Sequence, residues 1–316
     1  MAEEKKYDVV IIGGATAGMT AAIYSARKKL KTIILTKEIG GQNLKTDRIE
    51  NFPGFMTIAG TELTGKIKEQ VSKYGVLIKE GTEVEKIDVH PENKDEFTLH
   101  LKGGDVYESR TVIIATGKNP RLLGIPGEKE FENRGVSFCP TCDAPLFGGK
   151  DVAVIGSGNS GLESANDLLK YANKIYVLDY GLDIKGDPAT VETLKKTGKV
   201  EFILRAETKE IQGGKFVEKL IYRDLTDNDT NELNVQGVFI NIGWTPATSF
   251  LNDFVKLNDY GEVEIDHKTT QTSVPGVYAA GDVSDTLYKQ CVIAAGDGAK
   301  AALSAYNYIL DKDKGK

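Results

Sequence analysis

The chain has 316 residues, of which 40% are hydrophobic and 27% are charged, and 34 residues are glycine. This size and composition are typical of a globular protein with room for two domains, each with its own core. A formal net charge of -6 argues against nucleic acid or an anionic membrane surface as a partner.

The sequence also indicates a compartment. It starts MAEEKKYDVVIIGG, with acidic residues where a secretory signal would be basic, and a strand pattern follows directly. No apolar run approaches the length of about 18 residues that a membrane-spanning helix needs. The three cysteines are too few for a disulfide framework, which favours a reducing environment. We therefore expect a cytoplasmic protein with no membrane partner.

The first part of the chain has the pattern of a nucleotide-binding unit. YDVVII, residues 7–12, is a short β-branched run typical of a buried parallel strand, and GGATAG follows at 13–18. A helical pattern and the strand KTIILT, residues 31–36, complete a βαβ unit whose helix N-terminus offers N–H groups to a pyrophosphate. Ala15 replaces the second glycine of G-x-G-x-x-G, so this motif alone also fits a merely structural turn.

A C-x-x-C pair follows the strand pattern TVIIATG of residues 111–117. The pair is Cys139 and Cys142, in SFCPTCDAPLF. Zinc needs four good ligands, and the chain has three histidines and one further cysteine, Cys291, but no second pair. A zinc site is therefore disfavoured, and a redox dithiol or two inert core cysteines are the alternatives.

A second nucleotide-binding pattern follows the cysteine pair. DVAVI, residues 151–155, leads into GSGNSG at 156–161, which matches G-x-G-x-x-G in full, and then into a helical segment and the strand IYVLD at 175–179. Two such units are much stronger evidence than one, so we expect two bound dinucleotides. Near the C-terminus, VPGVYAAGDV holds Asp282 in a Gly-Asp turn before a long helical segment, suited to accept hydrogen bonds from a ribityl chain.

The end of that second strand indicates the electron donor. Asp179 stands where a Rossmann unit contacts the adenosine ribose, and Lys185 is the only basic residue nearby. A carboxylate accepts hydrogen bonds from a 2′-hydroxyl and repels a 2′-phosphate. The residues therefore favour NADH over NADPH, the alternative being an acidic residue that caps a strand without any nucleotide role.

The order GGATAG, ATG, CPTCD, GSGNSG and GVYAAGD resembles the low-molecular-weight thioredoxin reductases over essentially the whole chain. It also resembles the flavoprotein subunit of alkyl hydroperoxide reductase without that protein's N-terminal thioredoxin-fold extension. The resemblance implies an α/β fold with two Rossmann-like nucleotide-binding domains and a homodimer. The FAD domain, residues 1–118 and 246–316, would be split by an inserted NAD(P) domain, residues 119–245, which carries the dithiol. The two crossing strands between the domains would lie in KNPR, residues 118–121, and GWTP, residues 243–246.

The resemblance also implies the cofactor contacts. The FAD pyrophosphate would lie on the first glycine loop, with Glu38 near the adenosine ribose. The residues concerned are Gly13, Gly14, Ala15 and Gly18 for the pyrophosphate, then Gly41, Gln42, Asn51, Thr116, Gly117, Gly281, Asp282, Gln290 and Cys291 for the rest of FAD. The nicotinamide nucleotide would lie on Gly156, Gly158, Asn159, Ser160, Gly161 and Asp179.

Three residues would carry the disulfide chemistry implied by the resemblance. Cys142 would face the flavin, and Cys139 would attack the disulfide of a protein substrate. Asp143 would act as acid and base, and a neighbouring thiolate should raise its pKa by like-charge repulsion.

The sequence thus predicts an FAD-dependent thioredoxin-disulfide reductase that uses NADH. Its acceptor would be a thioredoxin- or glutaredoxin-like protein, with a peroxiredoxin system as a further candidate partner. Three alternatives stay open: a dithiol oxidase that passes electrons to oxygen, a reductase with ferredoxin as donor, and a redox-sensing flavoprotein scaffold.

Overall fold

The computed structural model describes residues 5–46, 49–93 and 95–314. The chain forms two compact units. The split unit comprises the residues up to Asn119 and from Thr245 onward, and the inserted unit comprises Pro120–Trp244.

The helices and strands occur in three stretches of the chain. Before the inserted unit they are β1 (Lys6–Gly14), α1 (Thr16–Arg27), β2 (Thr32–Ile39), α2 (Gly60–Lys73), β3 (Leu77–Lys79), β4 (Val84–Val89), β5 (Phe97–Leu101), β6 (Val106–Ile114) and β7 (Lys118–Pro120). Next come β8 (Val136–Ser137), α3 (Pro140–Asp143), β9 (Asp151–Ile155), α4 (Asn159–Leu168), β10 (Lys174–Leu178), α5 (Pro188–Lys196), β11 (Val200–Ile203), β12 (Ala206–Gly213), β13 (Val217–Asp224), β14 (Thr230–Asn234) and β15 (Gly237–Ile240). The last are β16 (Trp244–Pro246), β17 (Val277–Ala279) and α6 (Cys291–Lys314).

The split unit is built on a sheet whose central strands are parallel. Its order is β3-β2-β1-β6-β5-β4, and β17 pairs with the second half of β6. Apolar residues of β1 are completely buried on both faces, as expected of a strand covered by other elements on each side. One face packs against the alanine-rich surfaces of α1 and α6. The carboxyl ends of β1, β2, β6 and β17 therefore lie at one edge of this sheet.

The inserted unit has a parallel sheet of its own. The strand order is β11-β10-β9-β15-β8, and every neighbouring pair in it is parallel. β12, β13 and β14 form a separate antiparallel sheet. The loops that follow β10, β9, β15 and β8 are therefore adjacent along the carboxyl edge of the parallel sheet, in that order.

The α/β fold class predicted from the sequence is confirmed, since both units contain Rossmann-like parallel sheets. β9 has the predicted bounds, and the predicted crossing segments contain β7 and β16, which pair with each other. As expected for residues 111–117, the strand ends at Ile114 and a small-residue turn follows, in which Gly117 has a positive φ of 69°. The antiparallel strands β4, β5 and β12–β14 were not predicted. Among the described residues, no helix is long and apolar enough to cross a membrane.

In both units, the first helix after the glycine loop is in close backbone contact with the start of that loop. A Cβ atom on Gly18 would lie 1.9 Å from the carbonyl oxygen of Gly13, and one on Gly161 would lie 1.9 Å from that of Gly156. The third glycine of each motif therefore lets the helix approach the end of its strand.

Alanine substitution of two helical glycines should have opposite effects on stability. Gly18→Ala forces a methyl group into a backbone carbonyl and should destabilise the split unit by about 1–3 kcal/mol. Gly65→Ala, in an exposed and sterically open position of α2, should stabilise it by about 0.5–1 kcal/mol. Thermal unfolding monitored by circular dichroism measures both changes in stability. Each kcal/mol should shift the Tm by about 2–4 °C. A neutral Gly18→Ala variant would contradict the packing described.

Candidate functional sites

The glycine loop of the split unit offers backbone donors at the carboxyl edge of its sheet. Gly13 has φ of 117°, and α1 begins at Thr16 after Ala15, which makes no side-chain cap. The first N–H groups of a helix have no carbonyl partner within the helix, and the helix dipole there favours an anion. The methyl group of Ala15 lies 3.2 Å from the position that a Cβ on Gly41 would occupy. Gly41 thus leaves room for the alanine that departs from the glycine pattern.

Side chains from three distant segments meet beside this loop. Thr16 Oγ1 lies 3.1 Å from Cys291 Sγ and accepts a hydrogen bond of 2.7 Å from Asn43 Nδ2. A Cβ on Gly281 would lie 3.1 Å from that of Ala17, so the 281–283 turn adjoins the same helix end. Burial raises the pKa of the Cys291 thiol, although its hydrogen bonds to Thr16 and Asn43 oppose this effect. Cys291 is therefore a protonated packing residue rather than a thiolate.

A half-buried cluster of charged residues lies next to the same turn. Asp282 Oδ2 lies 3.9 Å from Lys118 Nζ, beyond hydrogen-bond distance, and Lys289 Nζ lies 2.9 Å from Glu262 Oε1. Burial raises the pKa of Asp282, and the charges of Lys118 and Lys289 oppose it. Burial lowers the pKa of Lys118, and the Asp282 charge opposes that change. The sequence analysis missed Lys118 and Lys289, because nothing in a sequence marks which lysines are buried.

The other sequence-predicted residues of the split unit make local contacts near this edge. Asn51 Nδ2 donates to Gln290 Oε1 over 3.2 Å, and Gln42 Nε2 donates to the Lys118 carbonyl over 3.3 Å. Thr116 donates to the Ala247 carbonyl over 2.9 Å. Glu38 lies near the end of β2, and its side chain is exposed.

These residues fit a flavin dinucleotide. The uncapped start of α1 suits a pyrophosphate, and Gly13 and Gly18 let the strand and the helix approach closely enough to form this turn. The half-buried, acceptor-rich carboxylate of Asp282 suits hydroxyl donors such as those of a ribityl chain.

The second glycine loop has the same form, in the inserted unit. Gly156 has φ of 109°, and α4 begins at Asn159 after Gly158, which as a glycine makes no side-chain cap. A Cβ on Gly158 would meet no atom within 4 Å, so its backbone is open to a ligand. The Asn159 side chain accepts a hydrogen bond from the Asp187 N–H, and the Ser160 carbonyl accepts one from Ser164. The loop is therefore held by these contacts, and the first N–H groups of α4 have no acceptor within the helix.

Asp179 is bound to this loop. One oxygen accepts hydrogen bonds from the N–H and hydroxyl groups of Ser157, at 2.7 and 2.8 Å, and the other accepts one from the Gly181 N–H at 2.7 Å. Burial alone would raise the pKa of Asp179, but the hydrogen bonds from Gly181 and Ser157 together hold it below its usual value. The carboxylate is therefore anionic. Its contacts with Ser157 and Gly181 give it a structural role, which the sequence left open as the alternative to ribose binding.

The C-x-x-C pair is a disulfide in the inserted unit. Cys139 and Cys142 are bonded to each other. Cys139 directly precedes the short helix α3, and Cys142 lies within it. The N–H groups of Cys142 and Asp143 both donate to the Cys139 carbonyl over 3.1 Å. The disulfide follows β8 and so lies at the same sheet edge as the second glycine loop.

A serine ties the predicted acid to the disulfide loop. Ser137 Oγ donates to Asp143 Oδ2 over 2.6 Å and accepts from the Cys139 N–H over 3.1 Å. Burial raises the pKa of Asp143, and the Ser137 hydrogen bond opposes this. The direction agrees with the sequence-based expectation. Burial is its cause in the disulfide form, in which the expected repulsion by a thiolate does not act. Ser137 was missed because a hydroxyl two residues before a cysteine is not a recognisable motif.

Comparisons with known proteins agree with this geometry. Residues 7–298 match the family described as pyridine nucleotide-disulphide oxidoreductase. A Bacillus subtilis (strain 168) protein named NADH dehydrogenase is 41% identical over 309 residues, which are 98% of this chain and 60% of that protein. A subunit of the alkyl hydroperoxide reductase of Staphylococcus aureus (strain NCTC 8325 / PS 47) is 42% identical over 310 residues, with 97% and 60% covered. The chain thus spans about 60% of the length of these curated relatives.

A solved structure is similar over its full length. The crystal structure of thioredoxin reductase from Streptococcus pyogenes MGAS5005 has a TM-score of 0.92 and 35% identity, and the match covers 98% of this chain and 100% of that one. The resemblance to thioredoxin reductases drawn from the motifs is confirmed.

Removal of the Ser137 hydroxyl should raise the pKa of Asp143 further. The hydrogen bond from Ser137 stabilises the carboxylate, so Ser137→Ala should shift the titration of Asp143 to higher pH. Isotope-edited infrared spectroscopy of the carboxyl group measures this directly. The control is Thr141→Ala, which removes a hydroxyl bonded instead to the exposed Asp167. Equal titration curves for wild type and Ser137→Ala would contradict the assignment.

Proposed function

Because the chain belongs to the pyridine nucleotide-disulphide oxidoreductase family, we propose that it is an FAD-dependent disulfide reductase with NADH as donor. Its acceptor is a thioredoxin- or glutaredoxin-like protein. The observation that carries the proposal is the Cys139–Cys142 disulfide at the sheet edge that also bears the intact GSGNSG loop. A dithiol and a nucleotide loop at one edge are what a reductase of this kind requires.

The relatives' names support the donor and a class of acceptor. One relative is named an NADH dehydrogenase, and another is a subunit of an alkyl hydroperoxide reductase. We therefore include a peroxiredoxin system among the candidate acceptors. The cytoplasmic location and the homodimer expected from the sequence stay predictions of this proposal.

The split unit binds FAD in this proposal. FAD, when bound, supplies two-electron transfer between the nicotinamide and the disulfide. The N–H groups at the start of α1 hold its pyrophosphate, and the carboxylate of Asp282 orients its ribityl hydroxyls. Lys118 and Lys289 keep positive charge beside Asp282, which limits the rise in its pKa.

The dithiol carries the reaction in the inserted unit. Two electrons and two protons convert the Cys139–Cys142 disulfide to two thiols. The thiolate of Cys139 attacks the acceptor's disulfide, forming a mixed disulfide and releasing one acceptor thiolate. Cys142 then attacks the Cys139 sulfur, which releases the second acceptor thiolate and restores the disulfide. Asp143, whose pKa is raised by burial, gives a proton to a departing thiolate.

The charge of Asp179 underlies the preference for NADH. Its carboxylate stays anionic because Ser157 and Gly181 donate hydrogen bonds to it. A 2′-phosphate placed near this buried negative charge is repelled, whereas a 2′-hydroxyl can donate to it.

The donor preference can be measured by anaerobic stopped-flow absorbance of the flavin with NADH and NADPH. NADH should bleach the flavin much faster, and Asp179→Asn should reduce the discrimination by about tenfold, since one charge is removed. Glu201→Gln, on the exposed neighbouring strand β11, is a matched control that should change nothing. Faster bleaching with NADPH, or no bleaching with either nucleotide, would overturn the donor assignment.

The division of work between the cysteines can be tested by trapping. Cys142→Ser should leave Cys139 able to attack a thioredoxin whose single cysteine carries a thionitrobenzoate group as a mixed disulfide. Thionitrobenzoate leaves as the thiolate, and a stable Cys139–thioredoxin disulfide remains. Cys139→Ser should not form that adduct, and Cys291→Ser should behave like wild type because Cys291 packs beside Thr16. Intact-mass spectrometry gives the answer, and an adduct on Cys142 would reverse the two roles.

A further inference from the structure

Asn241 lies directly beside the glycine loop of the inserted unit. It is the first residue after β15, as Gly156 is the first residue after β9, and the two parallel strands end side by side with Ile240 opposite Ile155. The Asn241 N–H donates to the Ile155 carbonyl over 2.8 Å. A Cβ on Gly156 would lie 2.4 Å from the Asn241 carbonyl oxygen, so the two backbones are in close contact.

Within the part of the chain that the structure describes, the side-chain nitrogen of Asn241 donates no hydrogen bond. Its Nδ2 atom is enclosed and has no hydrogen-bond partner within residues 5–46, 49–93 and 95–314, although the residue as a whole is only half-buried. A buried amide donor without a partner costs free energy, and most such groups in folded proteins are paired. A half-turn of the amide exchanges its nitrogen and oxygen atoms, so the donor can turn toward an acceptor that binds at the sheet edge.

The strand order indicates which ligand group can accept a hydrogen bond from Asn241. In an open parallel sheet, a ligand binds at the carboxyl ends of two neighbouring strands whose connections lead to opposite sides of the sheet. From β9 the chain proceeds to β10 and β11 on one side, whereas β15 lies on the other side of β9. The crevice at the ends of β9 and β15 is therefore this switch point, and Asn241 lies in it.

The direction of a bound dinucleotide follows from the same order. Asp179 directly follows β10 and would lie at the adenosine half, and the loop after β9 would hold the pyrophosphate. The remaining half of the molecule, the nicotinamide riboside, then extends over the end of β15. Its ribose hydroxyls and carboxamide oxygen are hydrogen-bond acceptors.

We infer that Asn241 is a further nucleotide-binding residue, whose amide donates a hydrogen bond to the nicotinamide riboside half of the pyridine nucleotide. This inference rests on the proposed use of a pyridine nucleotide and adds a contact to it. It also explains why a half-buried amide is kept at the sheet edge without a partner for its donor.

Isothermal titration of the oxidised, FAD-loaded enzyme with NAD+ and with ADP tests this contact. ADP contains only the adenosine and pyrophosphate parts, so Asn241→Ala should weaken NAD+ binding about tenfold and leave ADP binding unchanged. Asn241→Asp, which replaces the donor by an acceptor, should weaken NAD+ binding at least as much. Neither the thermal midpoint of the nucleotide-free Asn241→Ala enzyme nor its circular dichroism should change, since no internal hydrogen bond is lost.

The matched control is Asn173→Ala. Asn173 lies at the opposite, amino edge of the same sheet and donates to Asp151 over 2.7 Å, so its loss should not affect either ligand. Equal NAD+ affinity in wild type and Asn241→Ala, or parallel losses for NAD+ and ADP, would overturn the contact alone. If wild type binds neither NAD+ nor ADP, the proposed function and this inference both fail.

Discussion

The arrangement of both sites depends on one constraint, which is that parallel strands end at the same edge of a sheet. In each unit the strands after which functional residues occur are hydrogen-bonded neighbours running in the same direction. Each turn at that edge therefore lies next to the turn after the neighbouring strand. In the inserted unit, four functional groups lie in a row at this edge. The Asp179 carboxylate follows β10, the glycine loop follows β9, the Asn241 amide follows β15, and the disulfide follows β8.

Close backbone contact holds the helices at these edges. The third glycine of each motif faces the carbonyl oxygen of the first, so even a methyl group would push the helix off its strand. The second position is under no such constraint from the protein, since Gly158 has open space around it. That difference explains how the first motif keeps its geometry with Ala15, whose methyl group lies beside Gly41. Protein packing thus constrains the first and third positions of the motif and leaves the second free.

Much of the fold could be predicted from the sequence because its signals are local. β-branched runs followed by glycine turns located β1, β2, β9 and β10 to within a few residues. The antiparallel strands pair with their neighbours along the chain, and Gly103-Gly104 and Gly213-Gly214 mark two of their turns. These hairpins therefore carry a local signal that the prediction did not use. The resemblance to a family supplied the order of the domains, which local patterns do not contain.

The site was predictable in its motifs and not in its supporting contacts. Ser137, Thr16 and Asn43 act through side-chain hydrogen bonds that exist only once loops have folded together. The pKa of Asp143 shows the same limit, because its direction was expected but its cause, burial, is a property of the folded chain. Asn241 could not have been found at all from sequence, since an unpaired amide is recognised only when its surroundings are known.

The central claim is that electrons from NADH reach the Cys139–Cys142 disulfide, and a thiol count tests it most directly. The FAD-loaded enzyme is mixed anaerobically with a small excess of NADH, alkylated under denaturing conditions and mapped by mass spectrometry. The account predicts two newly labelled thiols for each FAD, at Cys139 and Cys142, with the labelling of Cys291 independent of NADH. Flavin bleached by NADH while the disulfide stays intact would contradict the account.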